Sequence, residues 1–361
     1  MKKSGWWKVA LKYGLAAGLL ALVVSMNWTA LSDLFSREPH ILPFLAAALI
    51  LACCTVVQYF RWYLLVRALG LPVAFRNVLR LGLVGTFYNT FLPGSVGGDF
   101  VKAFFIAKGH PERKAAAVAT VVADRLVGLF GLLLFAATVG GGCWAAGNEK
   151  IAENPKLQAI VLVCVGLSAV VLVGYVALGL ASAEWSKRLS DRLHRVTVFS
   201  VHVGPTLAEL WFTVRTYRQR PKTVAAVVAM SAVVHTGFVT MFHLATRVFP
   251  PADPALLGTL PEHFVIAPIG FIVQAIIPVP GGLGAGELTF GGLYRLIRGE
   301  GGPAVGLAGR LTLRLIEWTI GLIGYVVYLR MRTELPVAEA DAEEADPYAG
   351  HPADTVKGPA A

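Results

Sequence analysis

Six stretches of this 361-residue sequence run for about twenty residues or more with almost no charge, and they dictate the solvent in which the chain folds. Tyr13 to Ser32, Ile41 to Phe60, Leu157 to Ala183 and Thr223 to Thr246 hold no Asp, Glu, Lys or Arg. Ala115 to Gly140 is broken only by Asp124 and Arg125, and Pro303 to Leu329 by Arg310, Arg314 and Glu317. A helix of about 20 residues crosses the hydrocarbon of a bilayer. The chain is 56% hydrophobic and 15% charged, against roughly 25% charged in soluble domains. One water-soluble core cannot hide that surplus, so lipid must cover part of it. The predicted fold class is an all-α polytopic membrane protein with about six full transmembrane helices.

Two further apolar regions do not read as simple spans. Residues 76–108 break at LPGSVGGD, Leu92 to Asp99, and residues 263–298 break at PVPGGLGAGE, Pro278 to Glu287. Proline with clustered glycine cannot continue a helix. Each region is predicted to be two half-helices joined by an irregular loop, which at membrane depth must pack in protein or line a wet cavity.

The net charge of +10 follows the apolar runs and forms no amphipathic basic face, so it argues for anionic lipid headgroups and against nucleic acid. Lys2, Lys3, Lys8 and Lys12 put the N-terminus in the cytoplasm. Basic residues at Arg61, Arg67, Arg76 and Arg80, at Lys102 to Lys114, in the connector 184–222 and at Arg330 and Arg332 put those segments on the same side. Arg295 and Arg298 run against the pattern. Two halves result, residues 1–140 and 141–332, each read as span, span, hairpin, span, with the hairpins entering from opposite faces. Such an inverted repeat with paired broken helices points to a transporter's central site. The tail, 333–361, is Ala-, Pro- and acid-rich and is expected to be a disordered cytoplasmic extension.

The candidate binding residues cluster at the breaks and at the charges inside the spans. Asn89, Pro93, Gly94, Gly97, Gly98, Asp99 and Lys102 surround the first break, and Pro280, Gly281, Gly282, Gly284 and Glu287 the second. Glycine lets backbone N–H groups at a half-helix start approach an anion, which the helix dipole favours; the plainer alternative is a tight turn. Asp124 and Arg125 point about 100° apart on a helix and need separate partners. Arg310, Arg314 and Glu317 share one face. The expected cross-pairs are Asp124 with Arg314, and Asp99 or Glu287 with an arginine of the other half, serving either a ligand or an ionic lock between the halves. Lys102 is either a headgroup contact or an interfacial anchor. His235 and His243, eight residues apart on one span, are either a proton relay or packing residues. In the connector, Trp185, Leu189, Leu193, Val196 and Phe199 suggest a helix lying on anionic lipid. Cys53 and Cys54 are read as lipid-facing or packing residues, with no metal spacing.

FYNTFLPGSVGGDFVKAFFIAKG, then ADRLVGLF, then PVPGGLGAGE resemble the flippase-like membrane region of the lysylphosphatidylglycerol synthase family, over nearly the whole chain to about Arg332. The resemblance implies a bundle of spanning and re-entrant helices in a bacterial cell (inner) membrane that moves a lipid between leaflets. The alternatives are a membrane component of a lipid-modifying enzyme, or a scaffold whose partner is a separate lipid-modifying transferase. In full-length synthases a soluble domain adds lysine from charged tRNA; residues 184–222 are too short for such a fold. A transporter is therefore expected, with no catalytic residue, cofactor or metal.

Overall fold

The computed structural model describes residues 14, 17, 18, 20–91, 97–180, 183–193, 197, 198, 201, 202, 204–276 and 282–334, and it is a helical bundle. Its helices are α1 (Trp28–Phe35), α2 (Ile41–Ala68), α3 (Phe75–Phe91), α4 (Gly97–Lys108), α5 (Lys114–Ala145), α6 (Glu149–Ala152) and α7 (Pro155–Leu180). They continue with α8 (Ala183–Leu193), α9 (Gly204–Arg218), α10 (Pro221–Ala245), α11 (Leu260–Ile276), α12 (Ala285–Arg298) and α13 (Gly302–Glu334). Thr197–Val198 and Val201–His202 form a two-residue antiparallel pair between α8 and α9.

Five helical segments of the described residues are long and apolar enough to cross a membrane: Ile41–Ala68, Pro111–Ala145, Pro155–Ala177, Pro221–Ala245 and Ala285–Met331. The chain is thus a multi-pass membrane protein. These segments match five of the six expected spans. The sixth, Tyr13 to Ser32, lies partly outside the described residues; residues 20–26 are helical and a turn at Asn27 separates them from α1. The expected tail also lies outside them from residue 335 onward. Proline opens α7 and α10, where its missing N–H would have no intrahelical partner. Gly70, at φ 72°, closes α2: its N–H reaches the Arg67 carbonyl at 3.0 Å and that of Leu71 reaches Val66 at 3.4 Å. The lipid-facing surface is bare hydrocarbon, as α7 shows by exposing Leu162, Val163, Val170, Val173 and Val176.

The helices flanking the two breaks are shorter than a bilayer. At 1.5 Å per residue, α3 is about 26 Å long, α4 about 18 Å, α11 about 26 Å and α12 about 21 Å, against a hydrocarbon thickness of about 30 Å. Each pair packs together, α3 on α4 and α11 on α12. The wider packing repeats with the halves exchanged. α3 lies on α13 and α11 on α5; α4 lies on α5 and α12 on α13; α2 and α10 pack on each other at the centre. α13 is held between α3 and α12 by backbone proximity. A methyl group on Gly324 would stand 2.1 Å from the Leu83 carbonyl oxygen, and one on Gly306 2.4 Å from that of Phe290.

Two apolar clusters build this frame. One joins α10, α12 and α13 through Phe242, Phe290, Tyr294 and Ile316; the other joins α2, α3 and α5 through Trp62, Leu65, Val78 and Ala117. In the connector, α8 and α9 pack together and α9 packs on α5, so α9 is a docked element, with Trp211, Thr213 and Tyr217 buried. Of the apolar stripe expected there, Val196 and Phe199 lie outside the described residues. The Tyr217 hydroxyl donates to the Leu65 carbonyl at 3.0 Å, one of the last carbonyls of α2 that no helical N–H can reach. Tyr217→Phe is expected to lower stability by about 1 kcal/mol, read as a lower unfolding midpoint in detergent. No change in midpoint would mean that water already satisfies that carbonyl.

Candidate functional site

A cavity of about 370 Å³ lies at the middle of the bundle, with walls from α2, α3, α4, α5, α10, α11 and α13 and from Gly282. It sits between the two short-helix pairs, and its polar walls are charged.

Each acid in or behind these walls is held by a basic side chain. Asp124 Oδ1 accepts from Arg61 Nε at 2.9 Å, and Arg61 Nη1 donates to Ser231 Oγ at 2.9 Å. Asp99 lies between Lys102 Nζ at 2.7 Å and Arg125 Nη1 at 3.2 Å. Glu287 Oε1 stands 2.6 Å from both Nε and Nη2 of Arg314. Arg310 reaches Glu317 with both terminal nitrogens, at 3.0 and 3.1 Å. Arg61, Glu287 and Arg310 are at most 2% exposed. A charge at the centre of a membrane helix costs on the order of 3 kcal/mol on insertion scales, and pairing offsets that cost.

Several expectations need correction. The acids do not cross-pair between halves: Asp124 pairs with Arg61 and not with Arg314, while Asp99 and Glu287 pair with basic residues of their own half. The cause is local packing. α4 lies on α5 and α12 on α13, so the nearest cation to each acid comes from the adjoining helix or, for Asp99, also from Lys102 one turn away. Asp124 and Arg125 do find separate partners, and Arg310, Arg314 and Glu317 do form one polar face. Arg61, read as a cytoplasmic marker, is instead a buried member of the charge network. Lys102 is no interfacial anchor: it is 7% exposed and its ammonium lies 5.2 Å from the centre of the Trp62 ring.

One amide at the start of each half-helix is bonded within the protein. The Gly98 N–H donates to Asn89 Oδ1 at 2.7 Å, and the Gly284 N–H to Glu287 Oε2 at 2.8 Å. Both amides bond the protein's own side chains. The second turn needs glycine, since Gly282 and Gly284 have φ of 67° and 78°, a region that side-chain-bearing residues rarely adopt. At the first, a Cβ on Gly98 would lie 1.8 Å from the Gly85 carbonyl oxygen, so α3 and α4 cross almost backbone to backbone.

Of the predicted residues, Asn89, Asp99, Lys102, Asp124, Arg125, Gly282, Arg314 and Glu317 line the cavity. Gly97, Gly98, Gly284, Glu287 and Arg310 stand behind them, as helix starts or ion-pair partners. Pro93, Gly94, Pro280 and Gly281 lie outside the described residues. Gln58, Tyr59, Thr86 and Gln274, not among the predicted residues, also line it; Tyr59 and Thr86 share a hydrogen bond. A polar stripe at helical spacing on α2, Thr55, Gln58 and Arg61, was the available signal.

His235 and His243 do not form a relay with each other. His235 lines the cavity, with Nε2 3.2 Å from the Gly128 carbonyl oxygen. His243 belongs to a separate cluster, where its Nδ1 meets Nδ1 of His263 at 2.8 Å and His263 Nε2 meets the Tyr294 hydroxyl at 2.6 Å. The two arginines that run against the charge pattern are both paired, Arg298 with Glu262 and Arg295 with Glu300 at 3.0 Å. Cys53 is exposed and Cys54 buried, both as free thiols.

Comparison with known proteins bears on the same region. A family model described as the lysylphosphatidylglycerol synthase TM region matches residues 9–324. The UPF0104 membrane protein of Methanothermobacter thermautotrophicus is 25% identical over 320 residues, 85% of this chain and 90% of that protein. A UPF0104 membrane protein of Methanocaldococcus jannaschii is 31% identical over 88 residues, which is 24% of this chain and 26% of that relative's length.

Proposed function

We propose that this chain, which belongs to the family of lysylphosphatidylglycerol synthase transmembrane regions, carries an anionic lipid between the two leaflets of its membrane. The headgroup passes through the central cavity while the acyl chains stay in hydrocarbon. One observation carries this proposal: a partly open cavity of about 370 Å³ within a membrane bundle is lined by ion-paired side chains. Apolar side chains would fill that volume at least as stably, since buried ion pairs are a poor way to gain stability. Charged groups retained in a transmembrane cavity mark a substrate path. The repeated packing of α3 with α4 and α11 with α12 supports two hairpins that enter from opposite faces and meet at this cavity, in an inverted repeat of residues 1–140 and 141–332. Both termini then lie in the cytoplasm of a cell whose inner membrane holds the protein.

Purified protein reconstituted into vesicles with fluorescent phospholipid is expected to speed leaflet exchange at least tenfold over protein-free vesicles. Asp124→Ala and Arg314→Ala are expected to remove most of that gain. Exchange no faster than in empty vesicles would sink the carrier function.

The description of the matched family favours a second possibility, a membrane component of a lipid-modifying enzyme, or a scaffold for a separate synthase. Incubation with labelled lysyl-tRNA and phosphatidylglycerol separates the two: labelled lipid product would favour the enzyme.

A further inference from the structure

A polar chain away from the cavity ties the α11–α12 pair to the end of α10. His243 lies in the last turn of α10 and Arg247 just beyond it, His263 in the first turn of α11 and Tyr294 on α12. Arg247 Nη1 stands 3.1 Å from His243 Nδ1, and His263 Nδ1 stands 2.8 Å from the same atom. The Tyr294 hydroxyl is 2.6 Å from His263 Nε2 and 3.3 Å from the Gly258 nitrogen. His263 and Tyr294 are fully buried, and none of these residues lines the cavity.

The proton positions follow from one end of the chain. A guanidinium can only donate, so Arg247 makes His243 Nδ1 an acceptor, and His263 Nδ1 must donate to that atom. In a neutral ring His263 Nε2 is then left to accept. It takes the Tyr294 proton, while the Tyr294 oxygen accepts from the Gly258 N–H. Every donor meets an acceptor only while both rings are neutral, with the proton of His243 on Nε2 and that of His263 on Nδ1. A second proton on His243 would sit on Nδ1, facing two donors. One on His263 would sit on Nε2 and turn the Tyr294 proton away.

The surroundings oppose that second proton too. The charged and titratable groups facing the pair are Arg247 from α10, Glu262 from α11, and Arg298 and Tyr294 from α12. α13 meets this corner through uncharged Gly309, against Thr246, and α2 through the His40 backbone N–H on the Val248 carbonyl. Arg298 is bonded to Glu262. Arg247 has no carboxylate partner among the described residues, and its terminal nitrogens reach the His243 and Gly258 carbonyls, both at 2.8 Å.

We propose that His243 and His263 form an acid-released latch: the neutral pair fastens the α11–α12 pair to α10, and protonation lets it go. The fastening is complete above the ordinary histidine range and is lost as the pH falls below about 6.5. In the topology proposed above this end of α10 faces the outer medium, so the latch reads acidity there. It does not depend on what the cavity carries.

Hydrogen exchange of the detergent-purified protein, read by mass spectrometry and corrected for the intrinsic rate at each pH, tests the latch. Between about pH 7.5 and about pH 5.5, where carboxylates stay ionised, peptides from α11, α12 and residues 246–259 are expected to lose at least tenfold in protection. Peptides from α3, in the other short-helix pair, are expected to keep theirs. His243→Asn leaves an acceptor where Nδ1 stood and His263→Asn leaves a donor, and neither amide titrates. The double variant is expected to change protection of α11 and α12 less than about threefold over the same interval. A double variant that keeps the wild-type response overturns the latch. Wild-type protection of α11 and α12 that does not fall with pH, or that falls equally in α3, overturns it even if the variants do not fold.

Discussion

Arg314→Leu is expected to destabilise the protein by about 3–5 kcal/mol, the penalty for leaving a buried charge without its partner. Glu287 is fully enclosed, and both of its oxygens are committed, Oε1 to Arg314 and Oε2 to the Gly284 N–H. Without the guanidinium its charge can neither reach water nor find another described basic group bonded to it. Glu287→Gln is expected to hurt for the converse reason, by removing the carboxylate charge that faces Arg314, although the amide oxygen can still accept from Gly284. The double variant Glu287→Gln/Arg314→Leu removes both charges and is expected to recover a large share of the loss. A double-mutant cycle of unfolding midpoints in detergent isolates this coupling. Single variants that lose less than about 1 kcal/mol would place the pair in contact with water and contradict its burial.

Gly98→Ala is expected to be more damaging still. The added carbon would fall 1.8 Å from the Gly85 carbonyl oxygen, and backbone on both sides cannot swing aside as the end of a flexible side chain could. Overpacking usually costs 1–3 kcal/mol; here α3 and α4 must separate, breaking the Asn89 cap and displacing Asp99, so loss of folded protein on size-exclusion chromatography is expected. Gly142→Ala is the matched control. It lies in the last turn of α5 with nothing within 4 Å of a new Cβ, and helix propensity favours the alanine by up to about 1 kcal/mol. Equal behaviour of the two variants would show that the helices do not cross at Gly98.

The two predictions also mark what local sequence can and cannot carry. Spanning segments were legible because a run without charge is a one-dimensional signal, and the two breaks because proline and glycine act on their own backbone. The residues Asp99, Asp124, Glu287 and Arg314 stood out because charge within an apolar run is anomalous wherever it occurs. Their pairing was not legible, since it depends on which helix lies beside which, and that was fixed by glycine contacts such as Gly98 on Gly85 and Gly324 on Leu83. Arg61 was missed for a different reason. It follows an apolar run, where a basic residue ordinarily marks the membrane boundary, yet α2 continues past it to Ala68 and carries it inside the bundle. Position along the chain suggested an edge; the length of the helix made it an interior residue.

The 33 residues of α13 amount to a rod of about 50 Å, well beyond the thickness of the oily layer it crosses. Such a rod must lean or protrude. It carries Arg310, Arg314 and Glu317 near its midpoint and Arg330 close to its far end. A change in lean of about 10° shifts each tip by about 4 Å while leaving the middle almost still. A rearrangement at the charged centre that tilts the rod would thereby be felt at the membrane surface.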